Sequence, residues 1–174
     1  MDQNEFKLYS IGIDKKEFGR TYSFIDFGNV DYWYEKDERD CEGNLLLENE
    51  KLVIDLEKLA SFSHLFSEHS RFYFGFDPQN TKSVGFLDKS RNFFDKTISK
   101  PIQNIRHYIS DEELKINTRK VNKDENGYFI YIPKCNFDVE ICVDAIRLLK
   151  SYDKFCLFSS DSDFARLSYY LAKK

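Results

Sequence analysis

The stretch from Phe155 to Phe164, Phe-Cys-Leu-Phe-Ser-Ser-Asp-Ser-Asp-Phe, constrains this chain more than any other. It is an apolar run that stops at two aspartates one residue apart. The apolar half reads as a buried strand. Phe164, Leu167, Ser168 and Leu171 then recur at helical spacing, so Asp161 and Asp163 fall in the loop that opens a helix. Ligands of open α/β sheets collect outside the carboxyl ends of the strands. The layout recurs near the start, where the hydrophobic strand Tyr22-Ser-Phe-Ile ends in Asp26 and is followed by Asn29. A third acid, Asp138, opens the helix predicted before the last strand. Carboxylates meeting at one sheet edge repel each other unless a divalent cation neutralises them, so the pattern points to a metal site.

Between these ends the chain alternates. A first strand is predicted over 21–27, then a polar excursion over 30–43 that carries Tyr32, Trp33 and Tyr34. These rings are placed to stack on nucleobases or to join the core. Asp55 reads as the N-cap of a helix with Leu56, Leu59, Ala60, Leu65 and Phe66 on one face. A second strand follows over Arg71–Asp77, an amphipathic segment over Ser83–Ile98, and a third strand over Ile102–Tyr108. The β-α-β-α-β order predicts a parallel sheet with crossovers. Residues 115–133 then read as a hairpin about the Asn126-Gly127 turn. From Asp138 the helical period returns through Ile141, Cys142, Ala145, Leu148 and Leu149, with Asp138 near the middle of the stripe and Asp144 on its solvent-side margin. A last strand is predicted over 155–160. Residues 1–20 carry little pattern and read as a leader before one domain over 21–174.

Composition removes several function classes. No apolar run approaches the roughly 20 residues of a membrane span, and the start, Met-Asp-Gln-Asn-Glu, lacks the features of a signal peptide, so a cytoplasmic protein is expected. Four cysteines form no CxxC pair and three histidines form no HExxH, which disfavours zinc chemistry and disulfides. The formal charge of −4 argues against holding nucleic acid by bulk charge. It leaves room for a local basic rim, from Lys115, Arg119, Lys120 and Lys123 or from Lys82, Lys89 and Arg91, which otherwise are solvated faces.

Each acid has a structural alternative. Asp138 can cap a helix, Asp161 can form an Asx turn, and Asp163 can complement a helix dipole. Asp26 has no capping duty, and three separate segments each bring an aspartate to one edge. Oxygen donors without soft ones favour Mg²⁺ or Mn²⁺. Held by Asp26, Asp138 and Asp161 with Asp163 near, such ions suit phosphodiester hydrolysis, with Asn29 and Ser159 or Ser160 orienting water or phosphate. An aspartyl-phosphate phosphatase would want a second aspartate two residues after Asp26, where Gly28 stands.

Three blocks, Phe24–Asn29, Phe137–Ala145 and Ser159–Phe164, resemble in order and spacing the signatures of the NYN domain family, the LabA-like or DUF88 proteins of the PIN-like nuclease superfamily. The resemblance covers about residues 21–174. It implies a three-layer α/β fold with a central, mainly parallel sheet, here with a hairpin insertion, and Mg²⁺- or Mn²⁺-dependent cleavage of RNA. It implies metal-binding and catalytic roles for Asp26, Asp138, Asp161 and Asp163, a catalytic role for Asn29, and places Asp144 at the second acid of the middle block. Ser159, Ser160, Trp33, Arg119 and Lys120 are the candidate substrate contacts. Two departures stand out. Ser160 replaces a usual glycine, and the family's final strand is missing after the last helix, which predicts a bare sheet edge suited to homo-oligomer formation. Two further readings compete with a ribonuclease: a non-catalytic RNA- or metal-binding regulatory module, and an interaction protein whose acids are only caps and turns.

Overall fold

The computed structural model describes residues 3–14, 19–34, 36–40, 42–47 and 50–174. In chain order these form α1 (Gln3–Ser10), β1 (Thr21–Asp26), α2 (Phe27–Val30), α3 (Leu56–His64), β2 (His69–Phe76), α4 (Thr81–Phe93), β3 (Lys96–Pro101), β4 (Gln103–Tyr108), α5 (Asp111–Ile116), β5 (Asn122–Asp124), β6 (Gly127–Lys134), α6 (Asp138–Arg147) and β7 (Lys154–Phe158). A 3-10 turn (Ser162–Phe164) and α7 (Ala165–Leu171) follow. The central sheet is parallel, in the order β3-β2-β1-β7.

β1 is buried on both faces, as its Phe-Ile pair between small polar residues requires of an inner parallel strand. Alternation sends Ile25 to one face. There it lies beside Phe72 and Phe158 in register and packs with Leu56 and Ala60 of α3 and Phe94 after α4. Phe24 faces the other way, into a layer with Tyr73, Phe137, Ile141 and Ala145 of α6, and Leu167 of α7. Each large apolar side chain so buried contributes about 1.5–3 kcal/mol. The result is three layers, with helices on both faces. Asp26, two residues after Phe24, shares the face covered by α6 and α7.

Local signals set the helix starts. The Asp55 carboxylate accepts from the amides of Glu57 and Lys58 at 2.9 and 3.1 Å, as its N-cap reading requires. Asn80 caps α4 in the same way. Leu8 of α1 is buried in the first core layer.

The sequence reading is corrected at three places. The third parallel strand is Lys96–Pro101, not 102–108. The chain leaves helical geometry at Phe94, and Thr97 and Ile98, read as the end of an amphipathic helix, suit a strand instead. Residues 103–108 form β4 of a second, antiparallel sheet of order β4-β6-β5. The hairpin survives, but its first arm is only Asn122–Asp124, because Ser110 and Glu113 form a capping box that makes 111–116 helical. Its tight loop is Glu125-Asn126. Gly127 closes it at φ +129°, a conformation open to glycine.

Candidate metal centre and its surroundings

In the order β3-β2-β1-β7, successive strands move outward from β1 in one direction, and the chain then returns to place β7 on β1's other side. The carboxyl ends of β1 and β7 therefore flank a topological switch point, the crevice where open α/β sheets bind ligands. Asp26 ends β1, and Ser159 to Asp163 follow β7.

Asp26 is 5% exposed. Its Oδ2 accepts from Asn29 Nδ2 at 2.8 Å and from Ser159 Oγ at 3.3 Å. α2 begins directly at the end of β1 and brings Asn29 back over the carboxylate, one turn on. Ser160 Oγ donates to Asn29 Oδ1 at 3.0 Å, and the Asp161 amide donates to Ser159 Oγ at 3.2 Å. The two strand ends are laced together by side chains. No non-glycine residue among those described has positive φ, so serine at 160 serves where the family usually has glycine.

Asp138, Asp161 and Asp163 each offer an oxygen within 4.8 Å of the other two. Asp138 is the first residue of α6. Asn136 fixes it twice, accepting from its amide at 2.7 Å and donating Nδ2 to its carboxylate at 2.6 Å. Asp161 Oδ1 accepts from the Asp163 amide at 2.9 Å, the Asx arrangement that opens the 3-10 turn. Thus the structural duties expected of Asp161 coexist with membership of the cluster. Asp26 does not belong to this triplet. It is joined to it electrostatically, because burial raises its pKa against the hydrogen bonds from Asn29 and Ser159, and the charge on Asp138 raises it further.

The other sequence-selected residues are placed as follows. Asp144 is not at the solvent margin. It is 16% exposed and paired with Arg71 at 2.6 Å, and it accepts the Tyr73 hydroxyl at 2.9 Å. Trp33 is 41% exposed and stacks on Phe158 with the rings 18° apart, at the end of β7. Arg119 and Lys120 are exposed in the loop before β5, joined by no ion pair or side-chain bond to the acids among the described residues. Cys41 lies outside the described residues. Burial raises the thiols of Cys135 and Cys142; at Cys135 the charge on Lys100 opposes the rise and those on Glu140 and Asp26 add to it, and at Cys142 the charge on Asp138 adds to it.

Sequence reasoning missed two residues. Asn136 is one, although an asparagine two residues before a helix-opening aspartate is a readable signal. Lys100 is the other. It ends β3 at the same edge of the sheet, contacts Glu140 at 2.5 Å and lies 4.7 Å above the Phe137 ring. A cleft of about 1090 Å³ runs along β7 and α7, with Ser159 and Asp161 among its walls.

One competing arrangement can be dismissed. At the amino-terminal edge of the sheet, Ser70, His64 and Asp95 lie together, but His64 Nε2 alone faces both Ser70 Oγ at 3.0 Å and Asp95 at 3.1 Å. A catalytic triad uses the two ring nitrogens separately. Ser70, moreover, is fully buried and gives its hydroxyl to Asp95 at 2.7 Å.

The sequence matches the NYN domain family over residues 20–174. The chain belongs to the NYN domain family. NYN domains fall within the PIN-like nuclease superfamily, and the parallel sheet with its acidic switch point accords with that fold. A search of curated proteins gave no match. Among solved structures, a protein of unknown function from Vibrio parahaemolyticus is similar at a TM-score of 0.56 and 18% identity, over 93% of this chain and 79% of that one. It supports the fold of this NYN domain. None of the described helices is long and apolar enough to cross a membrane.

Proposed function

We propose that this NYN domain is a metal-dependent ribonuclease that hydrolyses RNA phosphodiester bonds at the β1/β7 switch point. The observation that carries the reading is the convergence of Asp138, Asp161 and Asp163 within 4.8 Å beside the buried Asp26. The donor set fits a hard divalent cation, Mg²⁺ or Mn²⁺, since every candidate ligand is a carboxylate oxygen. Asp26, Asp138 and Asp161 would hold it, with Asp163 at the exposed side. Bound there, the cation supplies neutralising charge and Lewis acidity to a phosphodiester.

The chain's own residues do the remaining work. Asn29 and Ser159 fix the Asp26 carboxylate, and Asn136 fixes that of Asp138, so the ligands are held before substrate arrives. Asn29 and Ser160, already hydrogen-bonded to each other, orient a phosphate oxygen or a water at the mouth. Ser159 lies in the wall of the cleft along β7, and Trp33, which packs on Phe158 at the end of β7, would offer its exposed side to a base. Arg119 and Lys120 attract the phosphate backbone from further off. The protein acts on RNA in the cytoplasm. β7 is an outer strand, so a homo-oligomer formed along its free edge is part of the reading and is tested by light scattering.

The test is cleavage of single-stranded, hairpin and transfer RNAs with Mn²⁺ and with EDTA, beside Asp26→Asn. Cleavage that needs both the metal and Asp26 is the expected result. RNA retention without cleavage under every condition would instead favour a non-catalytic binding module.

A further inference from the structure

The sheet β4-β6-β5 carries a cluster of aromatic and cationic side chains on one face. Alternation places Arg106 and Tyr108 of β4 on one side with their partners in register on β6, Tyr131 and Phe129. Phe129 is only 6% exposed, and the Arg106 guanidinium lies 4.3 Å from its ring centre. Tyr108 and Tyr131 meet the Phe129 ring edge-on at 5.8 and 5.5 Å, yet remain 43% and 46% exposed. Asp124 fixes the arrangement, accepting from Arg106 at 2.7 Å and from the Tyr108 hydroxyl at 2.9 Å. Arg106 is thus a clamped planar cation, with one face on Phe129 and two half-exposed tyrosines beside it. Aromatic rings and guanidinium planes are the surfaces on which unpaired bases stack.

Position bears on the same ligand. Between the acids Asp111–Glu113 and Asp124–Glu125, residues 115–123 hold Lys115, Arg119, Lys120 and Lys123, of which Lys123 lies over the Tyr128 ring on the other face of the sheet. None of these four takes part in an ion pair among the described residues. At its other end β6 finishes at Lys134, and the chain reaches Asn136 and Asp138 directly after it. The aromatic residues Tyr131 and Phe129 therefore stand roughly 10 and 17 Å, three and five strand residues, from the end of β6 that leads to the acidic centre.

We propose that this face is a stacking platform for single-stranded RNA, which holds a strand against Arg106, Tyr108 and Tyr131 while the adjoining segment lies at the carboxylates. The proposal rests on the ribonuclease reading and assigns it a substrate class, unpaired RNA. Bases stack on the clamped guanidinium and the tyrosines, while Lys115, Arg119 and Lys120 attract the backbone. Paired bases cannot reach the rings, so duplex RNA binds poorly.

The test uses full-length protein carrying Asp161→Asn and a labelled single-stranded oligoribonucleotide of roughly a dozen nucleotides, read by fluorescence anisotropy. Tyr108→Ala with Tyr131→Ala should weaken binding about 5- to 100-fold. Tyr131→Phe should retain it, and duplex RNA should compete poorly. Ultraviolet crosslinking of the otherwise unaltered sheet, which needs no folding of the double variant, should label peptides containing Tyr108 or Tyr131. Unchanged affinity in a folded double variant, crosslinks confined elsewhere, or no RNA binding at all would each overturn the platform. Cleavage by the wild type is scored separately. Cleavage with an indifferent platform would leave the ribonuclease reading standing, whereas platform binding without cleavage would remove that reading and keep the platform.

Discussion

The two ends of the central sheet each hold a carboxylate in a polar cluster, and the two are satisfied to opposite degrees. At the amino-terminal edge, Asp95 accepts from the Ser70 amide and hydroxyl, both at 2.7 Å, and faces His64 at 3.1 Å. Burial pushes it up, but the Ser70 and His64 hydrogen bonds outweigh that and hold it at about 2. At the carboxyl-terminal edge, Asp26 is more deeply buried and has side-chain bonds from Asn29 and Ser159, yet its pKa is raised. The difference lies in the surroundings. Donors converge on Asp95, whereas Asp26 lies in a low-dielectric pocket facing the charge of Asp138, with two more acids behind that one. An acid with enough donors is a fastener. An acid short of donors, buried among others of its kind, is where a divalent cation would be stabilised most.

The largest expected effect separates the two ends. Asp26→Asn should lower metal-dependent RNA cleavage at least about 1000-fold, about 4 kcal/mol at 1.36 kcal/mol per decade. It should leave the melting temperature unchanged or slightly higher, because a strained carboxylate is removed. Loss of folding in that variant would break the comparison. Next comes Asp144, the family-matched acid that packs beneath the same face. Asp144→Ala strands the Arg71 charge, which is 12% exposed, and should cost about 3 kcal/mol in denaturant unfolding.

At the amino-terminal edge the cost is smaller and falls on stability alone. Asp95→Ala leaves the buried Ser70 amide and hydroxyl without their acceptor, for about 2 kcal/mol, or roughly 4–8 °C in melting temperature. Cleavage per folded molecule should be retained. The smallest effect is in pH dependence. Because the folded pKa of Asp95 is depressed to about 2, its contribution is complete above the ordinary carboxylate value near 4 and is lost as pH falls toward 2. With its side chain 38% exposed, the screened contribution is about 1 kcal/mol. Melting curves of wild type and Asp95→Ala between pH 5 and 2 should converge by that amount. Asp26 has the opposite sign. Its raised pKa makes the folded state bind the proton more tightly, so its contribution falls as pH rises from about 4 and levels off above its folded value.

The central strands were legible because they are continuous apolar runs that end abruptly in acid, as β1 and β7 do. The cap at Asp55 was legible because capping is local. The third strand was not, since Thr97 and Ile98 satisfy a helical period as readily as an alternating one in so short a window. α5 was missed despite its Ser110-x-x-Glu113 signal, because the residues around it also alternate. The Asp144 pairing could not be read, as its partner Arg71 lies 73 positions away and only the packing of α6 on the sheet brings them together. The same holds for the Asp95 cluster, whose Ser70 partner is 25 positions off. Asp26, Asp138, Asp161 and Asp163 could be proposed as neighbours because each stands where a strand ends or a helix begins, and such positions share an edge once the sheet is parallel.

The proposal that the carboxyl-terminal edge holds a divalent cation is tested most directly by calorimetric titration of Mn²⁺ into the wild type and into Asp161→Asn, at fixed pH and ionic strength. Saturable binding to the wild type that is weakened at least about 10-fold by Asp161→Asn is the predicted result. Equal heats in both proteins would contradict it, and would return these aspartates to the turns and caps that they also form.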